Sequence, residues 1–258
     1  MTRSARPQVI LITGASGGIG AALAAEYAEP QRTLILQGRD HVRLAAIALV
    51  CAQRGARVIT ASCDVCDHAA FSTWLAHVVE QEQIDLVFAN AGINIHAPAG
   101  STLERWADVE ALIDINIRAV FATVHAVVPA MQRRGAGQIV LMSSLAAYFG
   151  LPQTPSYSAS KAAIKAYGES LRAALAPVGI RVNVIMPGYV ASPMCHAMPG
   201  PKPFLWSAEK AARVIRRGVT RNTARLSFPF PLNFACWGLA ALRPAVAAWL
   251  IKITHYEG

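Results

Sequence analysis

Six short apolar runs, rich in β-branched residues, punctuate the chain at 9–12, 33–37, 57–61, 84–89, 138–143 and 181–186, with a weaker seventh at 225–228. Runs of this length without strict alternation fit strands buried on both faces. Longer stretches of helical character lie between them. Residues 20–29 are Ala-rich, Asp40 caps a helix over 42–54 that Gly55 stops, and Asp67 caps another over 69–82. The longest helical stretches are 103–134 and 157–178. In the second, Ile164, Tyr167, Leu171, Leu175 and Val178 recur at helical spacing and form one apolar stripe. Regular alternation of buried strands and helices predicts right-handed parallel βαβ units. The expected fold is α/β: a doubly wound parallel sheet of about seven strands, a Rossmann-type three-layer sandwich, as a single domain over 1–258. Ligands of such folds bind at the carboxyl ends of the strands.

Composition sharpens this picture. Of the 258 residues, 54% are hydrophobic and 15% charged, which excludes a disordered chain. The net charge is +9, and +7 of it falls in residues 200–258, where nine basic residues face only Glu209 and Glu257. Such charge favours anionic partners. Without an aromatic-interleaved basic stripe or a helix–turn–helix pattern, no nucleic acid is expected. Arg3 and Arg6 precede the first apolar run, but Val9-Ile10-Leu11-Ile12 is too short for the core of a secretory signal. The five cysteines, Cys51, Cys63, Cys66, Cys195 and Cys236, are odd in number and irregularly spaced. They suggest no disulfide framework and a reducing, cytoplasmic setting. Cys63 and Cys66, near His68, have metal-ligand spacing but no second clustered pair, so they read as structural thiols and no metal is expected. Ser143 and Ser144 lie outside any GxSxG elbow, which argues against a hydrolase.

The first strand runs into Thr13-Gly14-Ala15-Ser16-Gly17-Gly18-Ile19-Gly20, which opens a helix. Gly14 permits a tight turn, Gly18 a close backbone approach to a pyrophosphate, and Gly20 close packing of helix on strand. Free N–H groups and the helix dipole then attract the anion. The end of the second strand reads Leu36-Gln37-Gly38-Arg39, with no acid before Asp40. A carboxylate there would hold the ribose hydroxyls of NAD(H), whereas Arg39 suits the 2′-phosphate of NADP(H), which is therefore the preferred cofactor.

With these residues placed, the chain resembles the short-chain dehydrogenase/reductase family over about residues 8–195. Gly14, Gly18 and Gly20 match its TGxxxGxG, Asn90-Ala91-Gly92 its NAG, and Tyr157 to Lys161 its YxxxK. Ser144 lies thirteen residues before Tyr157, Asn116 takes the place of the family's helix-four asparagine, and Pro187-Gly188 matches its PG. Two positions depart: Ser192 stands where the family usually has Thr, and Gly17 where some NADPH-dependent members carry a basic residue. The resemblance implies a cofactor site of Gly14, Ser16, Gly17, Gly18, Ile19, Gly20, Arg39, Asp64, Val65, Asn90, Ala91, Gly92, Tyr157, Lys161, Pro187, Gly188, Val190 and Ser192. It also implies roles for four residues. Tyr157 is the general acid in reduction and the base in oxidation. Lys161 holds the nicotinamide ribose and favours the phenolate. Ser144 binds the substrate oxygen, and Asn116 supports a water relay through Lys161.

The implied activity is hydride transfer between NADP(H) and a carbonyl or secondary alcohol. A weaker likeness of the tail, to reductases of surface-polysaccharide precursors, suggests an anionic sugar. The competing reading from a different class is an NADP(H)-binding sensor or interaction protein with little turnover. The family implies a homodimer or homotetramer. Residues 199–258 form a basic, apolar segment whose uncharged part, 228–242, is too short to span a bilayer. Two short helices around Arg243-Pro244 are expected there, as a substrate lid and oligomer surface or as a peripheral contact with the inner face of the membrane.

Overall fold

The computed structural model describes residues 7–98 and 100–253. Arg3, Arg6 and Glu257, weighed above for charge, lie outside the described residues. The chain alternates β1 (Val9–Ile12), α1 (Gly18–Tyr27), β2 (Thr33–Gly38), α2 (His41–Gln53), β3 (Arg57–Ser62), α3 (His68–Gln81) and β4 (Leu86–Ala89). Next come α4 (Trp106–Ile113), a π turn (Asp114–Arg118), α5 (Ala119–Arg134), β5 (Gly137–Met142), α6 (Pro155–Leu175) and β6 (Ile180–Pro187). The last part holds α7 (Pro193–Ala197), α8 (Ala208–Thr220), β7 (Arg225–Phe228), α9 (Leu232–Ala241) and α10 (Pro244–Ile253).

The seven strands form one sheet in the order β3-β2-β1-β4-β5-β6-β7, and every neighbouring pair is parallel. The winding direction reverses between β1 and β4, which opens a crevice at their carboxyl ends. Successive strand residues face opposite sides of the sheet, so Ile10, Ile12, Leu34, Leu36 and Phe88 pack toward α1, α2 and α8. Leu11, Ile35, Val87, Ile139 and Leu141 pack toward α3, α5 and α6. This is the doubly wound three-layer sandwich expected from the hydrophobic pattern.

Several boundaries differ for identifiable reasons. β4 begins two residues later than the apolar run, because the Asp85 side chain accepts hydrogen bonds from the N–H groups of Gln8 and Val9 at the entry to β1. Pro155, free of any N–H to leave unpaired, starts α6 earlier than predicted. A 3₁₀ turn then ends the helical stretch at Gly179, whose φ is +77°. Val178 is consequently exposed, and the predicted stripe stops at Leu175. Helix α8 was not predicted at all. It buries a stripe of mostly small side chains, Ala211, Ala212, Ile215, Gly218 and Val219, opposite a basic outer face. Two ten-residue helices flank Arg243-Pro244, as expected.

Candidate active site

The crevice is built from loops that leave the sheet at adjacent strand ends. Gln37 ties three of them: its Oε1 accepts from Gly14 N (3.1 Å) and its Nε2 donates to Cys63 O (2.8 Å). Asn90 adds a second tie, donating from Nδ2 to Thr13 O (3.0 Å) and Gly14 O (3.2 Å). Gly20 sits so close to this loop that a Cβ there would fall 2.1 Å from Gly14 O, so helix α1 packs here only as glycine. Gly17 is the N-cap of α1, and no side chain caps that helix end. Its first N–H groups are left for an external acceptor, and the dipole makes that acceptor an anion.

A cleft of about 500 Å³ runs from this loop to Ser144, Tyr157 and Lys161, a size typical of small-molecule sites. Of the predicted site residues, Gly14, Ser16, Gly17, Gly18, Ile19, Arg39, Val65, Asn90, Ala91 and Gly92 line it. So do Ser144, Tyr157, Lys161, Pro187, Gly188, Val190 and Ser192. Three do not. Gly20 packs behind the loop. Asp64 stands beside the lining: its Oδ1 accepts from Cys66 N (3.0 Å), and its Oδ2 lies 3.7 Å from Arg39 Nη1. Asn116 is fully buried in the π turn.

At the end of the cleft beyond β2, Arg39 is more than half exposed, and its pairing with Asp64 is loose enough to break at little cost. Arg43, which the sequence reading missed, lines the same end from the first turn of α2, paired with Asp40 at 3.1 Å. Its signal was its place in the first turn of the helix that Asp40 caps, three residues after that aspartate. Among the described residues that line the cleft there is no carboxylate, and the basic ones are Arg39, Arg43 and Lys161.

The opposite end gathers the reactive groups. Tyr157, half-buried, and Lys161, buried, stand one turn apart on α6, with the ammonium 5.5 Å from the phenol ring centre. Lys161 Nζ donates to Met142 O (3.1 Å). The Ser144 hydroxyl is hydrogen-bonded to the Tyr157 side chain and accepts from Ala146 N (3.1 Å). Ser143, the alternative by position, points inward and donates to Lys161 O (2.7 Å). Burial holds the Tyr157 phenol above its ordinary pKa, opposed by the Ser144 hydrogen bond. Burial lowers Lys161 to about 8.

Asn116 is tied to the loop after β4. Its Oδ1 accepts from Ile93 N (2.8 Å), and its Nδ2 donates to Ile93 O (2.9 Å) and Ser160 Oγ (3.1 Å). These bonds fix that loop beside Gly92. Ser192 caps α7, accepting from Cys195 N (3.1 Å), so its hydroxyl is held beside Gly18.

A lysine with a lowered folded pKa carries a stability cost. Between about 8 and 10.5 the unfolded chain binds more protons than the folded one, so stability rises with pH there, and the cost is full below 8. Lys161→Met therefore raises Tm at pH 7 by several degrees, and the gain shrinks as the pH approaches 10. Thermal unfolding followed at both pH values checks this; an unchanged or lower Tm at pH 7 contradicts it.

The substrate side of the cleft is walled by Leu145, Leu151, Met194, Cys195 and Met198. None of the nine basic residues of 200–258 lines it. Helix α9 backs the wall, with Leu232 and Cys236 packed among Leu145, Tyr189 and Cys195. Cys63 and Cys66 are separate half-buried thiols whose pKa values burial raises.

Comparison with known proteins gives the same picture. A family model described as short chain dehydrogenase matches residues 8–200. An uncharacterised oxidoreductase of Myxococcus xanthus (strain DK1622) is 36% identical over 226 residues, covering 86% of this chain and 87% of that protein. A short-chain dehydrogenase from Sphingobium yanoikuyae in complex with NADPH superposes with a TM-score of 0.78 at 26% identity, covering 92% of this chain and 97% of that one. A short chain dehydrogenase from Mycobacterium paratuberculosis bound to NAD shares the fold, with a TM-score of 0.74 at 23% identity over 85% of this chain and 95% of that one.

Proposed function

The chain belongs to the short-chain dehydrogenase/reductase family of oxidoreductases, and from that premise we propose that it is an NADPH-dependent reductase of an uncharged, largely apolar ketone or aldehyde. The reverse reaction oxidises the corresponding alcohol, secondary for a ketone and primary for an aldehyde. The single observation that carries this reading is one cleft with an uncapped helix end and the exposed guanidinium groups of Arg39 and Arg43 at one end and the Ser144–Tyr157–Lys161 cluster at the other.

The cleft fits a dinucleotide phosphate. The N-terminus of α1 would take the pyrophosphate, Arg39 and Arg43 the 2′-phosphate, and Lys161 the nicotinamide ribose. Bound there, the cofactor supplies the hydride. The protein handles the proton and the charge. Ser144 Oγ donates to the carbonyl oxygen and steadies its developing negative charge. Tyr157 Oη then gives that oxygen its proton. The raised phenol pKa keeps Tyr157 protonated at neutral pH, the state an acid needs. Lys161, protonated below about 8, places a positive charge beside the phenolate that remains. Asn116 acts as a positioning residue, holding the loop that carries Gly92 and Ile93 against Lys161. Supported by a wall without charge, the substrate is bound chiefly through its apolar part.

NADPH consumption with a panel of uncharged ketones and aldehydes tests the reading. Turnover of apolar members exceeding that of carboxylated or phosphorylated ones is expected. Tight NADPH binding with no turnover of any member would instead favour the sensor reading.

A further inference from the structure

Among the described residues, helices α9 and α10 each turn apolar side chains outward. On α9, Phe234 and Trp237 lie one turn apart, exposed, with ring centres 5.6 Å apart. On α10, Val246, Trp249 and Ile253 recur at i, i+3 and i+7 and are likewise exposed, while Ala247 and Ile251 on another side are buried. Phe230, 78% exposed, precedes α9, and Leu242 joins the two helices. An apolar face of this extent is unusual on a surface bathed only in water.

Charge decides among the occupants that could cover it. Arg243 and Lys252 are the only charged residues from Leu232 to Ile253, and no Asp or Glu occurs anywhere from residue 210 to 256. A two-fold pairing of this face with a second copy would gather cations with no carboxylate on either helix to neutralise them. A surface that offers both apolar depth and negative charge matches it. Helices of ten residues are about 15 Å long and cannot cross a ~30 Å hydrocarbon layer, so they lie along an interface, where Trp and Phe sit at the headgroup boundary.

We propose that the α9–α10 face docks on the surface of an anionic phospholipid bilayer, with Phe234, Trp237 and Trp249 inserted at the headgroup level and Arg243 and Lys252 paired to lipid phosphates. The proposal deepens the preceding one in a single respect. Because α9 also backs the substrate wall through Leu232 and Cys236, docking holds the cleft next to the phase in which an apolar carbonyl concentrates. Membrane binding itself needs no turnover.

Sedimentation of the full chain with vesicles tests it, using phosphatidylcholine alone and phosphatidylcholine with 30% phosphatidylglycerol as the probes. The wild type is expected to bind the anionic vesicles at least tenfold more tightly than the neutral ones, with a blue shift of Trp fluorescence. The triple variant Phe234→Ser, Trp237→Ser, Trp249→Ser should lose at least tenfold in binding. Its Tm and its NADPH affinity, measured without lipid, should match the wild type and show that it is folded. Arg243→Gln with Lys252→Gln is a second variant, expected to erase the preference for anionic lipid. Absence of sedimentation with anionic vesicles overturns the proposal, as does equal binding by wild type and the triple variant. So does a wild-type dimer in analytical ultracentrifugation that the triple substitution dissociates, since the face would then belong to a second copy. Because the readouts are sedimentation and fluorescence, docking can fail while carbonyl reduction stands, and the reverse.

Discussion

Tyr157→Phe lowers kcat for carbonyl reduction by about 10³-fold or more and leaves the dissociation constant for NADPH within about twofold of wild type. The substitution removes one oxygen. The ring stays half-buried against α6, so the cleft keeps its shape and Lys161 its place. What disappears is the proton donor and the partner of the Ser144 hydroxyl. General acid catalysis contributes roughly 10²–10⁴ in rate, and Ser144 would then face the developing alkoxide alone. Single-turnover kinetics with NADPH and an apolar ketone, together with calorimetric titration of NADPH, separate the chemical step from binding. A variant retaining a tenth of wild-type turnover would assign the proton to another group. A parallel loss of NADPH affinity would mean that the phenol shapes the cofactor pocket instead.

Arg39→Asp inverts cofactor choice, and the ratio of kcat/KM with NADPH to that with NADH falls by at least about 100-fold. Charge-assisted hydrogen bonds contribute about 1.5–3 kcal/mol each, and each 1.4 kcal/mol is a factor of ten. The new carboxylate adds repulsion toward a 2′-phosphate and offers acceptors to ribose hydroxyls. Arg43, on the first turn of α2, still faces the site and keeps the NADPH loss from being total. Adding Arg43→Ala to the first substitution therefore deepens the inversion. Steady-state kinetics with both cofactors provide the check. A wild type that already uses NADH better than NADPH would remove the role assigned to Arg39.

Much of the scaffold was legible because it rests on local pattern. Buried strands such as 9–12 and 138–142 need no partner to be recognised, Asp40 and Asp67 cap α2 and α3 with their own side chains, and two groups four residues apart on one helix share a face whatever surrounds them. That is enough to bring Tyr157 and Lys161 together and to place the glycine loop at the entry to α1. Less legible were features set by packing across the sheet. Helix α8 is not one of them: Ala211, Ala212, Ile215 and Val219 fall on one face and basic residues on the other, a pattern present in the sequence itself. The bonds of Asn116 are one, since only the positions of Ile93 and Ser160 show which groups its amide ties. The apolar substrate wall is drawn from the segment after β5 and from the region of α7, far apart in sequence, while the tail's positive charge, conspicuous in composition, is spent elsewhere on the surface.

The most direct measurement is a crystal structure of the protein with NADP and an unreduced apolar ketone. The account predicts the pyrophosphate at the N-terminus of α1 and the 2′-phosphate at Arg39. It places the ketone oxygen within about 2.6–3.2 Å of both Tyr157 Oη and Ser144 Oγ. A dinucleotide bound outside this cleft, or a carbonyl oxygen held away from both hydroxyls, would contradict it.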